Sequence, residues 1–190
     1  MVRAQREGSE EATSQAKNVW HPVARFGLIA MLVGALGVMG TGHFQGQELV
    51  KLQPMKMAVA EGICVDTDGA AFTVAQFGSC PLDSSGEAPT KFIEVPGVAS
   101  FMSHNDFSAT SAGVADEQAR MVELLNSNAD FTAKYGDAAQ YNFVPPQMAT
   151  FWSFRLMIGL GILSLLFALW GLWATRKGNV PGSESLSTMA

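Results

Sequence analysis

The sequence predicts a mainly α-helical protein that crosses a membrane twice and carries a large mixed α/β loop between the crossings. Three observations lead there. The chain of 190 residues is 48% hydrophobic and only 15% charged, against about 25% charged in an ordinary soluble domain. The apolar residues are concentrated in two uncharged runs, residues 26–42 and 156–175. Between them lies a polar stretch too long to be a plain connection, so it must carry structure of its own.

The elements follow in order. Residues 1–22 hold no apolar periodicity over most of their length and read as a disordered cytoplasmic tail. Residues 23–42 read as the first membrane helix, with Trp20, His21 and Arg25 at its leading edge. A helix needs about 17–20 apolar residues to cross the hydrocarbon core, and this run just reaches that length. A cleaved signal peptide is the rival reading, but its leading region would carry Glu7, Glu10 and Glu11 where positive charge is usual. Gly27, Ala30, Gly34, Gly37 and Thr41 recur at spacings of three or four, a stripe that lets another membrane helix approach closely. Residues 150–175 read as the second span, with Trp152, Trp170 and Trp173 placed as an interfacial belt. Residues 176–190 form a second tail.

The basic groups Arg3, Arg6, Lys17 and Arg25 lie within residues 1–25, and Arg176 and Lys177 follow the second span. Residues 43–149 hold 5 basic and 13 acidic groups. The positive-inside rule therefore places both termini in the cytoplasm and residues 43–149 outside. Net charge is −5, from 12 basic and 17 acidic residues, which argues against a nucleic-acid partner.

Within the loop, Pro54–Glu61 (PMKMAVAE) reads as a short helix opened by proline. Ala71–Phe77 and Lys91–Val95 are β-prone, and Val114–Leu125 has the period of an amphipathic helix. Residues 78–90, 105–111 and 126–128 read as turns.

Three places bear chemistry. Gln53, Lys56 and Glu61 stand near the outer surface and could hydrogen-bond a polar head group. Lys56 and Glu61 are about 140° apart on an α-helix, so spacing does not unite them, and composition alone favours a solvated interfacial helix. Arg155 lies about one turn inside the second span, where an ionisable group is a functional candidate or a snorkelling side chain. Met157 is two residues on, and a thioether is usually a core filler but also serves as an axial haem ligand. Met157, Leu160, Gly161 and Ser164 share one face, and the glycine leaves room for a flat macrocycle. Cys64 and Cys80 fall on the oxidising side of this topology, which favours a disulfide over two buried thiols. His43 and His104 show no metal-ligand pattern.

The run Gly42-His43-Phe44-Gln45-Gly46, followed by Gln53-Pro54-Met55-Lys56-Met57-Ala58-Val59-Ala60-Glu61, resembles the start of the quinol-binding loop in subunit I of cytochrome bd-type quinol oxidases. Phe151-Trp152-Ser153-Phe154-Arg155-Leu156-Met157-Ile158-Gly159 resembles the segment that opens the span after that loop. The stretches 66–72 and 95–101 resemble the form of the loop in actinobacterial relatives.

The resemblance implies part of a quinol:oxygen oxidoreductase in a bacterial cell membrane, working in aerobic respiratory electron transport. It implies that Gln53, Lys56 and Glu61 bind quinol, with Lys56 and Glu61 catalytic. It makes Met157 an axial ligand to the iron of a low-spin haem b, and Arg155 the arginine beside that haem. The histidine opposite Met157, and the ligands of the high-spin haems b and d, are expected on spans that this sequence does not contain. The chain thus resembles a two-span piece of subunit I, expected to work with the other spans of subunit I and with subunit II in the lipid bilayer, and not to reduce oxygen alone. The reading from another class is a non-catalytic, membrane-anchored interaction protein.

Overall fold

The computed structural model describes residue 14 and residues 16–83 and 86–176. Most of the N-terminal tail (residues 1–13 and 15) and of the C-terminal tail (177–190) lies outside the described residues. Two compact units are present, one built from described residues up to Gly40 and from Gly159 onward, the other from Thr41–Ile158. Two helices are long and apolar enough to cross a membrane.

The first, α1, is His21–Leu52, preceded by a π-helical turn at Ala16–Trp20. Pro22 falls in its first turn, where no intrahelical N–H is lost. The helix runs ten residues past the uncharged stretch, because residues 43–52 include the helix formers Gln45, Gln47, Glu48, Leu49 and Lys51 and no proline. Lys51 and Glu48 pair at 2.8 Å along this polar end. Pro54 ends it by forcing Gln53 out of the helical region, to φ −141°.

The last helix, α6, is Gln147–Ala174. In the helix-pair unit, His21 Nε2 lies 2.8 Å from the Thr175 carbonyl oxygen, and Arg25 Nη1 donates to the Leu172 carbonyl (3.4 Å) and to Thr175 Oγ1 (3.3 Å). These contacts answer carbonyls left orphaned at the end of α6 and place a cation where the helix dipole favours one. The close helix contact here is made by Gly171, where an added Cβ would sit 2.9 Å from the Leu28 methyls. A Cβ at Gly27 or Gly34, in the small-residue stripe, would meet nothing within 4 Å.

The unit Thr41–Ile158 holds the remaining elements. Helix α2 is Pro54–Glu61, opened by its proline and closed by Gly62 in the left-handed region (φ 74°). Strands β2 (Phe72–Phe77) and β3 (Thr90–Val95) pair antiparallel in the register Phe72↔Val95 and Phe77↔Thr90. The two-residue strands β1 (Thr67–Asp68) and β4 (Thr110–Ser111) form a second ladder. Helix α3 (Val98–His104) follows Pro96-Gly97, and its presence is not signalled by any apolar period. Helix α4 is Val114–Asn126; its first N–H groups donate to the carbonyls of Ile63 (2.9 Å) and Cys64 (3.0 Å). Helix α5 (Ala129–Tyr135) follows directly on the turn at 126–128, because the Asn128 side chain caps the N–H groups of Asp130 and Phe131.

Apolar packing is modest. Ala58, Val59, Cys80 and Val114 form one buried cluster, and Ile63, Ala70 and Ala99 another. Cys64 and Cys80 are joined as a disulfide, with Cα atoms 5.0 Å apart.

Candidate functional site

The site is built around the C-terminal end of α2. A helix leaves its last four carbonyls without intrahelical partners. Here the Gly62 and Ile63 N–H groups serve the carbonyls of Ala58 and Val59. The next two are served from a distance: Arg155 Nη1 donates to the Ala60 carbonyl and Nη2 to the Glu61 carbonyl, both at 3.2 Å. Its Nε donates to the Thr73 carbonyl in β2 at 2.6 Å. The planar guanidinium suits this task, since its donors form a fixed fork. It also lies 4.2 Å from the Phe72 ring centroid and 4.6 Å from that of Phe151, which shield it from water.

The Glu61 side chain is only 5% exposed. Ser103 Oγ, from α3, donates to its Oε1 at 3.0 Å. Burial pushes the carboxyl up from 4.5 to about 7, with the Ser103 hydrogen bond and the nearby Arg155 charge pulling in the opposite direction. The group is thus divided between its two protonation states near neutral pH. It borders a cleft walled by Val50, Pro54 and Met57 and edged by Ser103 and Ser111, with room for about one water.

Lys56 sits elsewhere on the same helix, and Gln53 immediately precedes that helix. Both side chains are exposed, and neither is hydrogen-bonded to Glu61 among the described residues. The rotation of about 140° per five residues accounts for the separation of Lys56 from Glu61. Met157 is 60% exposed, and two residues of helix turn it about 200° from Arg155. The arrangement therefore separates the two residues read together from the sequence: the guanidinium is bound to the loop, and the thioether stands on the opposite side of α6. An open thioether on a helix face is a chemically suitable axial donor to haem iron, so the residue present fits that group. Among the described residues no group of three His, Cys, Asp or Glu side chains could hold a metal ion. His43 is used in a polar contact, with its Nε2 2.9 Å from Asn105 Oδ1.

Sequence reasoning did not find Ser103, Phe72 or the backbone of Thr73. Ser103 is 42 positions from Glu61 and lies in a helix with no apolar period, so no local signal marks it. Phe151 belongs to the motif 151–159, and its signal is its position one turn before Arg155.

A family model described as cytochrome bd terminal oxidase subunit I matches residues 3–189. The cytochrome bd ubiquinol oxidase subunit 1 of Bacillus subtilis (strain 168) is 35% identical over 160 residues, covering 82% of this chain. The matched region is 31% of that relative's length. A match over nearly all of its residues, together with two membrane-length helices flanking a structured loop, places the chain in the cytochrome bd terminal oxidase subunit I family.

Proposed function

We propose that the chain supplies the quinol-oxidising loop, and one axial ligand of the low-spin haem b, in a membrane quinol:oxygen oxidoreductase. The observation that carries this reading is the carboxyl of Glu61, the one buried carboxyl among the described residues, balanced near neutral pH. A quinol loses two protons and two electrons as it becomes a quinone. A general base is most effective when its pKa is near the working pH, and a carboxyl at about 7 is about half ionised there.

Glu61 takes one of the quinol protons. Gln53 and Lys56, exposed at the start of α2, offer hydrogen bonds to ring oxygens at the surface, and the head group meets the rim of the cleft because the cleft itself is too small to admit it. Arg155 holds the end of α2 in place, so that the carboxyl stays at a fixed depth. Met157 would hold the low-spin haem b through its thioether, and a haem held there would supply one-electron acceptor chemistry at a potential that a methionine ligand raises. The high-spin haems b and d, the remaining spans of subunit I and subunit II complete the oxidase. The loop faces the outside of a bacterial cell membrane, with the termini cytoplasmic, and there the Cys64–Cys80 bond persists.

The test is made in a complete oxidase carrying this stretch. Glu61→Gln lowers quinol turnover by about 10²-fold at unchanged haem content, and Lys56→Ala raises KM for quinol. Met157→Leu removes the low-spin haem b band. Full quinol turnover in both loop variants, or an unchanged low-spin spectrum, overturns the corresponding assignment. Thiol labelling of intact cells leaves Cys64 and Cys80 unmodified until reductant is added.

A further inference from the structure

We propose that Ser103 is a positioning residue for quinol oxidation: its hydroxyl, carried on α3, holds the Glu61 carboxyl in its proton-accepting state and orientation. The proposal rests on the reading of Glu61 as the proton acceptor.

The geometry is built rather than incidental. Ser103 is 5% exposed, as is Glu61, and its Oγ donates to Oε1 at 3.0 Å. Helix α3 is fixed one turn earlier by Ser100, which is fully buried. Ser100 Oγ accepts from the Ala70 N–H (2.7 Å), donates to the Ala109 carbonyl (2.8 Å) and lies 3.1 Å from Ser111 Oγ. The hydroxyl of Ser103 is thereby delivered to the carboxyl by a pinned helix and not by a wandering loop.

Among the described residues, the charged and titratable groups around Glu61 are few. Arg155 of α6 bonds its backbone carbonyl, and His104 of α3 borders the same cleft. Helix α1 contributes Val50 to the cleft, and α4 packs on α2 through the apolar Val114. A hydroxyl donor stabilises the ionised form over the neutral one, and the low polarity of a buried site strengthens that effect. Without it, Glu61 holds its proton to higher pH and offers less free base to quinol at neutral pH.

The experiment reads the carboxyl itself and then turnover. Carboxyl-band infrared titration of the full chain in lipid nanodiscs, with Glu61→Gln as the blank, gives the Glu61 midpoint. Ser103→Ala is expected to raise it by about one pH unit, the size of a hydrogen bond to a charged group, and Ser103→Thr, which keeps the hydroxyl, to restore it. In the complete oxidase the acid limb of kcat/KM for quinol moves by the same amount. A midpoint unmoved by Ser103→Ala overturns the proposal while leaving Glu61 as acceptor intact. A midpoint that moves without the acid limb moving overturns Glu61 as acceptor, and with it any role of Ser103 in turnover.

Discussion

In the helix pair, Val33 and Leu163 are 64% and 63% exposed, and this is the normal state of the apolar side chains there. In Thr41–Ile158 the buried set includes Glu61, Thr73, Ser100, Ser103, Ser111 and Arg155. One unit shows its apolar groups to its surroundings, and the other hides polar groups inside. Lipid explains the first, since exposed leucine costs nothing in hydrocarbon. The second lacks a large apolar core, so its order comes from long-range polar contacts, in which each buried group must find a partner. The difference teaches where each unit is fragile: the helix pair to changes of shape, the loop to the loss of one donor.

The largest effect is expected at Arg155. Arg155→Ala leaves three carbonyls unpaired, at about 1–3 kcal/mol each, and should release α2 from β2. Hydrogen exchange at Ala58–Ile63 should accelerate at least 10²-fold, and Arg155→Lys, which keeps the charge but loses the fork, should not rescue it. Unchanged protection would show that the apolar clusters alone hold the loop.

A smaller effect comes from pH. Glu61 binds its proton more tightly folded (about 7) than unfolded (4.5), so its contribution is fully present below about 4.5 and is lost as pH rises through about 7. The shift corresponds to about 3 kcal/mol at most. Denaturant unfolding of the loop should therefore show wild type losing stability between pH 5 and 8 relative to Glu61→Gln, with the two curves parallel above pH 8. A constant difference across that range would place Glu61 in water.

The smallest effect lies in the helix pair. Gly171→Leu forces the Leu28 methyls aside, at about 1–2 kcal/mol. Cross-linking between cysteines introduced by His21→Cys and Thr175→Cys should fall severalfold, with loop protection unchanged.

The elements that were legible in the sequence are those whose cause is local. The two uncharged runs, the proline that opens α2, the β-prone stretch of β2 and the 3.6-residue period of α4 each act within a few residues. The extension of α1 to Leu52 carries no apolar signal, since helix propensity and not hydropathy sustains residues 43–52. Helix α3 was missed because it is set by Ser100 bonding to Ala70 and Ala109, contacts that no short window contains. In the site, Glu61 could be singled out as a carboxylate near a membrane surface. Its burial, its serine partner and the bonds that Arg155 makes to the loop depend on separations of 42 and 94 residues.

The two fastenings of the α2 end also differ in when they can exist during synthesis. Cys64 and Cys80 are 16 residues apart, and their bond can close soon after both reach an oxidising compartment. The guanidinium that completes α2 is 94 residues downstream of Glu61. At about 5–20 residues per second, the ribosome delivers it roughly 5–20 seconds later. For that interval the carbonyls at the end of α2 bond water in place of the guanidinium. The disulfide then acts as a temporary clamp, and cells short of oxidant should lose this chain during its making more than after it is made.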